Sequence, residues 1–135
     1  MTAGVDLHVH TTASDGVRTP SEIVAMACRL GLNSIGITDH DTVAGLEEAL
    51  KASRGCSVKV VPGVEISTDQ QGAQAHILGY YIDPNSPELQ AELGQFANAR
   101  LERARRILDR LDALGVSLSW GSLAAPAEVG VVGRP

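Results

Sequence analysis

A histidine pair set on an apolar strand limits this chain more than any other stretch. In Asp6-Leu7-His8-Val9-His10-Thr11-Thr12-Ala13-Ser14-Asp15-Gly16, the apolar residues Val5, Leu7 and Val9 alternate with Asp6, His8 and His10. Strand side chains point to opposite faces in turn, so His8 and His10 project to the same side, one pleat apart. Two imidazoles placed this way can grip one metal ion or two adjacent ones, and Asp15 adds a carboxylate from the following loop. Taken alone, the pair also reads as surface histidines beside a polar turn. The apolar strand that it closes, and the Gly-punctuated acidic loop that it enters, favour the metal site.

The rest of the chain is organised by alternation. Thr19-Pro20-Ser21-Glu22 predicts a helix start, with Thr19 as N-cap, Pro20 at the permitted first position and Glu22 completing a capping box. Ile23, Val24, Met26, Ala27 and Leu30 form a core-facing stripe, and Gly31 is the stop. Ser34 to Thr38 is a short buried strand ending in Asp39-His40-Asp41-Thr42, and a second helix is expected from about Val43 to Ser53. Val58 to Val61 reads as a strand interrupted by Pro62-Gly63 and continued by Val64-Glu65-Ile66-Ser67. Gln70-Gln71-Gly72 looks like a hairpin turn, with Ala75 to Ile82 as the returning strand. A second cap, Ser86-Pro87-Glu88, opens the longest helix, which runs to Leu114-Gly115. The tail from Val116 to Pro135 is expected to be irregular, with a short helix near Ser122.

Strand–helix alternation favours a parallel sheet with helices outside it, and functional groups of such folds collect at the C-terminal ends of the strands. The polar residues follow that rule: His8 and His10 end the first strand, Asp39 and His40 the second, and Glu65 follows the third. All four histidines, His8, His10, His40 and His76, lie in or at the end of an apolar strand segment. One such residue is ordinarily a satisfied core histidine. Four, accompanied by Asp15, Asp39 and Glu65, favour a shared polynuclear centre, and imidazole with carboxylate but no thiolate suits Mn, Fe or Zn.

Composition narrows the class. The 135 residues, 44% hydrophobic, suit one compact domain, and a formal charge of −5 argues against a general nucleic-acid-coating protein. No apolar run approaches a membrane span, and no signal peptide is evident, so a cytoplasmic protein with no membrane partner is expected. Cys28 and Cys56, with no C-x-x-C spacing, are expected to be reduced and structural. Arg100, Arg103, Arg105, Arg106 and Arg110 crowd the second half of the long helix. Most are read as solvated, with Arg100, Arg103 and, in the tail, Arg134 as candidates to face a substrate phosphate.

D-L-H-V-H-T-T-A-S-D-G, T-D-H-D-T, P-G-V-E-I-S and H-I-L-G-Y, in that order, resemble successive motifs of the PHP (polymerase and histidinol phosphatase) family, and most of all its small stand-alone phosphoesterases. The resemblance spans nearly the whole chain. It implies a distorted (β/α)7 barrel with up to three divalent metal ions at its strand ends. His8 and His10 would hold the first, Glu65 would bridge first and second, His76 would bind the second, and Asp15 and His40 the third. Asp39 matches the Asp of T-D-H and would orient a ligand. The implied reaction is hydrolysis of a phosphate ester by metal-activated hydroxide, with Glu65 and Asp39 as the catalytic carboxylates. Its substrates would be nucleotides such as 3′,5′-bisphosphates, or short 5′-phosphorylated oligonucleotides.

Gly133-Arg134-Pro135 looks like the start of a G-R-P-H motif beyond which family members continue, and a complete β/α barrel needs on the order of 200 residues. The chain therefore reads as the N-terminal half of a PHP domain, with each metal position lacking a ligand and an exposed barrel edge available for self-association. Three other readings stay open. These are a histidinol-phosphate phosphatase, an amidohydrolase (which the early Asp15 and T-D-H fit poorly), and a non-catalytic half-domain completed by a partner chain.

Overall fold

The computed structural model describes residues 4–70 and 73–121, with no account of the side chains of residues 69, 70 and 73. Strand β1 (Val5–Val9) is followed by α1 (Pro20–Leu30), β2 (Ser34–Ile37), α2 (Leu46–Ala52) and a single 3₁₀ turn at Ser53–Gly55. Then come β3 (Lys59–Gln70), β4 (Ala73–Tyr80) and the long α3 (Pro87–Ala113). The strands lie in the order β1-β2-β3-β4. The first three are parallel, and β4 returns antiparallel to β3.

The first helix forms where its signals lie. Thr19 accepts from the Glu22 amide and Glu22 reaches back to the Thr19 amide, closing the capping box. Gly31 takes the left-handed conformation, φ 68°, that lets the helix terminate. Ile23, Val24 and Ala27 pack with Leu46 and Ala49 of α2 onto Ile35, Ile37, Val58 and Val60 of the sheet. Burying an aliphatic side chain of this size contributes roughly 1.5–3 kcal/mol, so this layer anchors the fold.

Four expectations need correction. The second helix begins three residues later than Val43, because Thr42 Oγ1 accepts from the Ala44 amide and the Val43 carbonyl from the Leu46 amide, closing a turn there. β3 is not interrupted at Pro62-Gly63 but changes partner: Lys59 to Pro62 pair with β2, and Gly63 to Gln70 pair with β4. Two neighbouring strands thus override a local break signal. The returning strand accordingly starts at Ala73, paired with Gln70. Cys28 and Cys56 are joined in a disulfide, not reduced, with Cα atoms 6.3 Å apart. Packing brings the end of α1 beside the entry to β3, a proximity that spacing along the chain does not reveal.

Both outer strands are open to solvent. Val5 and Leu7 of β1 are 57% and 41% exposed, and Ile77 of β4 is 58% exposed. α3 is mostly exposed and buries Leu93 and Ala104. The expected turn at residues 71–72, the short helix near Ser122 and Arg134 lie outside the described residues. No described helix is long and apolar enough to cross a membrane.

Candidate metal centre

Glu65 is where the strands meet. Its backbone is clamped by segment 39–41: its amide donates to the Asp39 carbonyl (3.1 Å) and its carbonyl accepts from the Asp41 amide (2.9 Å). The side chain is 3% exposed. Its Oε2 lies 2.8 Å from His8 Nε2 and 2.7 Å from His10 Nε2, while Oε1 lies 2.7 Å from His76 Nδ1. The Nε2 atoms of His8 and His10 are themselves 3.1 Å apart. Strand alternation on β1 thus delivers what the sequence pattern predicts, two imidazoles turned toward one point.

A second focus lies beside the first. His10 Nδ1 is 2.7 Å from Asp15 Oδ1, and His40 Nε2 is 3.7 Å from Asp15 Oδ2. His40 Nδ1 is also 3.7 Å from Glu65 Oε2. The six expected ligands therefore form three overlapping groups: His8, His10 and Glu65; His10, Asp15 and His40; His40, Glu65 and His76. Within each group the ligand atoms lie within 4.8 Å of one another. Nitrogen and carboxylate oxygen converging on common points, with a buried carboxylate shared by three imidazoles, is a donor set that fits divalent cations.

Electrostatics agree with that use. Burial works to raise the Glu65 pKa, but the hydrogen bond from His8 and the charges of His40, His8 and His10 outweigh it and hold the carboxyl below its usual range. Asp15 behaves alike, with burial opposed by the His10 hydrogen bond and the charges of His10 and His40. His40 is pushed down, chiefly by burial, aided by His10 and His76 and opposed by Glu65 and Asp15. Low carboxyl and low imidazole pKa values keep these groups in the deprotonated forms that coordinate metal.

Asp39 does not join the cluster. It is buried beneath the loop after β1, where Oδ1 accepts from the Thr11 amide (2.7 Å) and Ser14 Oγ (2.6 Å), and Oδ2 accepts from Thr11 Oγ1 (2.8 Å). These bonds fix the loop that carries Asp15. Gly16 closes the same loop, since a Cβ there would sit 2.6 Å from the His10 carbonyl oxygen.

Arg100 and Arg103 line a cavity of about 500 Å³ together with Asp15, His40 and His76. Arg106 lines it too, as do Phe96 and Ser67, none of which the sequence reading singled out as site residues. The available signal was spacing: positions 100, 103 and 106 fall on one helical face. Asp41 was also passed over. It has φ 50°, held there by its backbone amide donating to the Glu65 carbonyl, by the Ser67 amide donating to its Oδ1 (2.8 Å), and by Arg100 donating to its Oδ2.

Comparison with known proteins places this geometry in a family. The PHP domain profile matches residues 6–111. The chain is 39% identical over 128 residues to a 5′-3′ exoribonuclease of Haemophilus influenzae, covering 95% of this chain and 47% of that protein. It is 38% identical over 115 residues to a 3′,5′-nucleoside bisphosphate phosphatase of Chromobacterium violaceum, covering 85% and 40%. The crystal structure of a protein assigned as a metal-dependent phosphoesterase, from Bifidobacterium adolescentis, superposes with a TM-score of 0.86 at 33% identity, over 100% of this chain and 48% of that one. The chain spans about half the length of these relatives, and its α/β fold corresponds to the N-terminal part of the barrel.

Proposed function

Because the chain belongs to the PHP domain family, we propose that it supplies the metal-binding half of a phosphoesterase that hydrolyses nucleotide or short-oligonucleotide phosphate esters. The observation that carries this reading is Glu65, one buried carboxylate within 2.8 Å of imidazole nitrogens from His8, His10 and His76. Bound divalent cations would polarise the phosphoryl oxygens and lower the pKa of an attacking water.

The chain's own residues have assignable parts. His8, His10 and Glu65 would hold one cation, His76 with Glu65 a second, and Asp15 with His40 a third. Glu65 would also balance charge between neighbouring cations, and Asp39 keeps Asp15 in position through Thr11 and Ser14. The donor set suits Mn, Fe or Zn. The named relatives, a 5′-3′ exoribonuclease and a 3′,5′-nucleoside bisphosphate phosphatase, support a nucleotide substrate.

The test is phosphate release from a nucleoside 3′,5′-bisphosphate and from a 5′-phosphorylated oligonucleotide, with Mn, Fe or Zn added to chelator-treated protein. Metal-dependent turnover lost in Glu65→Gln supports the reading, and turnover that ignores both metal and Glu65 ends it. A second reading rests on the open outer strands, with Val5 and Ile77 more than half exposed. Such edges suit pairing with a second copy or a partner chain that completes the site. Light scattering with and without Mn separates a monomer from an assembly.

A nucleotide substrate suits a cytoplasmic location, against which the Cys28–Cys56 disulfide weighs, because cytosolic disulfides are rare. Alkylation of thiols at the moment of cell lysis decides: two blocked cysteines support the cytoplasm.

A further inference from the structure

We propose that the Cys28–Cys56 disulfide is an exchange site for an anionic low-molecular-weight thiol, which attacks Cys28 from an open groove and expels Cys56 as the thiolate. The site lies at the entry end of the parallel strands, away from the metal ligands, and it does not depend on the phosphoesterase reading.

Access comes first. Cys28 and Cys56 are each only partly buried, with one flank resting on the apolar core. The other flank faces a groove of about 560 Å³ between the end of α1 and the turn at Ser53–Gly55. Ser21, Ala25, Arg29 and Gly55 line this groove together with both cysteines. A Cβ built at Gly55 meets no atom within 4 Å, so the turn leaves the groove open. The volume falls in the range of small-molecule sites, roughly 300–1,000 Å³, and suits a thiol the size of a tripeptide.

The two sulfurs are not equivalent. Cys28 lies in the last turn of α1, where the negative end of the helix dipole disfavours a thiolate. Cys56 Sγ accepts from the Val58 amide at 3.4 Å, a bond that strengthens when the sulfur carries charge. Exchange is fastest when the better-stabilised thiolate leaves, so Cys28 is the sulfur attacked.

Charge selects the reagent. Arg29 lines the groove beside Cys28, and Arg54 stands two residues before Cys56. Among the described residues the arginine ion pairs are Arg18–Glu22 and Arg100–Asp41, which leaves Arg29 and Arg54 uncommitted. They are local cations on a chain of net charge −5, and they attract a thiol that bears carboxylates. The incoming thiolate bonds to Cys28 Sγ, the S–S bond breaks, and its electron pair leaves on Cys56. A second thiolate then attacks the added sulfur, releasing Cys28 as a thiolate and the reagent as its own disulfide. Two thiols are oxidised, the protein disulfide is reduced, and the end of α1 is freed from the entry to β3.

The test exposes the oxidised chain to reduced glutathione, an anionic probe, and to cysteamine, a cationic one, with rates compared per thiolate. Acid quenching, alkylation and peptide mass spectrometry locate the first adduct. It should sit on Cys28, with the alkyl label on Cys56. Glutathione should react roughly three- to tenfold faster than cysteamine at low salt, and the gap should close at about 1 M salt, where charges are screened. Arg29→Gln should narrow the gap and Arg29→Glu should invert it, with circular dichroism checking the fold of each variant. The salt dependence of the wild type carries the same charge test without any substitution. A first adduct on Cys56, or one divided evenly between the two cysteines, overturns the proposal. So do equal rates for the two thiols at low salt, and a disulfide that opens only in denaturant. A chain isolated as the dithiol is first treated with oxidised glutathione, and failure of the folded protein to close the disulfide overturns the proposal as well.

Discussion

The side of the sheet covered by α1 and α2 is closed by apolar contact. The end where β3, β4 and α3 meet is closed by charge. On the first side Val24, Ile35, Ile37, Leu46 and Ala49 are almost entirely buried, and the Cys28–Cys56 disulfide ties helix to strand. On the second side two carboxylates, four imidazoles and an ion pair converge, Ile77 is exposed, and α3 is held through Leu93, Ala104 and Arg100. Hydrophobic burial needs no further ligand, whereas the charges of clustered Asp15 and Glu65 call for cations or protons to balance them. Apolar packing dominates the first side and candidate metal ligands the second, so the two should respond separately to substitution.

The strongest separation is expected at the disulfide. Replacing Cys28 and Cys56 by Ala opens a cross-link between residues 28 apart, a loop for which chain entropy predicts a loss of about 3–4 kcal/mol. Denaturant unfolding should show that loss, while Mn affinity of the folded protein stays unchanged. A parallel fall in affinity would mean that the two regions are not independent. The converse experiment is Glu65→Gln. A neutral amide cannot balance two cations, so Mn affinity by chelator competition should fall by more than the roughly 10–100-fold typical of losing an outer-shell partner. The helical signal and the apolar core should remain. An amide variant that binds Mn as wild type does would remove Glu65 from the centre.

The same division explains what the chain revealed in advance. His8, His10, Asp15, His40, Glu65 and His76 could be read because strand alternation and strand ends are local properties, and the capping box at Thr19 and Glu22 is equally local. What could not be read depends on contacts between distant residues. Cys28 meets Cys56 only after α1 packs, and Arg100 turns from a candidate phosphate ligand into a strut only because Asp41 lies beneath it. The continuity of β3 through Pro62-Gly63 belongs to the same class, since it is enforced by β2 on one half and β4 on the other. Val5 and Leu7 show the reverse case: an apolar alternation that predicts burial stays exposed because β1 is an outer strand here.

A smaller effect should come from Asp41→Asn. The amide keeps an acceptor for the Ser67 amide but loses the charge that holds Arg100. Removing a charge-assisted bond of this kind costs roughly 1–3 kcal/mol, and the cost should fall on α3. Hydrogen exchange of amides near Arg100 and Ala104 should quicken, with α1 and α2 unaffected. Uniform acceleration across the molecule would show that α3 is integral to the core.

The smallest expected effect is that of pH on the metal-free chain, and its sign follows from three groups. Burial, His10 and His76 hold the His40 pKa below its ordinary 6.5. The unfolded chain therefore takes up a proton there first, and the stabilising contribution, fully present above 6.5, is lost as pH falls through the folded value. Glu65 and Asp15 are held below their ordinary 4.5 and 3.8 despite burial, by the imidazoles around them. Their contributions are present above those values and are lost as pH falls through the folded ones. All three shifts have the same sign. The melting temperature should be level above neutrality, decline by a few degrees as pH drops below 6.5, and decline again below 4.5. Saturating Mn should raise the plateau and steepen the first decline, because protons then compete with metal for the same imidazoles. Thermal melts from pH 8 to pH 4, with Mn and with chelator, measure both. A metal-free chain that gains stability between pH 7 and pH 5 would show that His40 is held as an imidazolium ion paired with Glu65 and Asp15, and not as a neutral ligand.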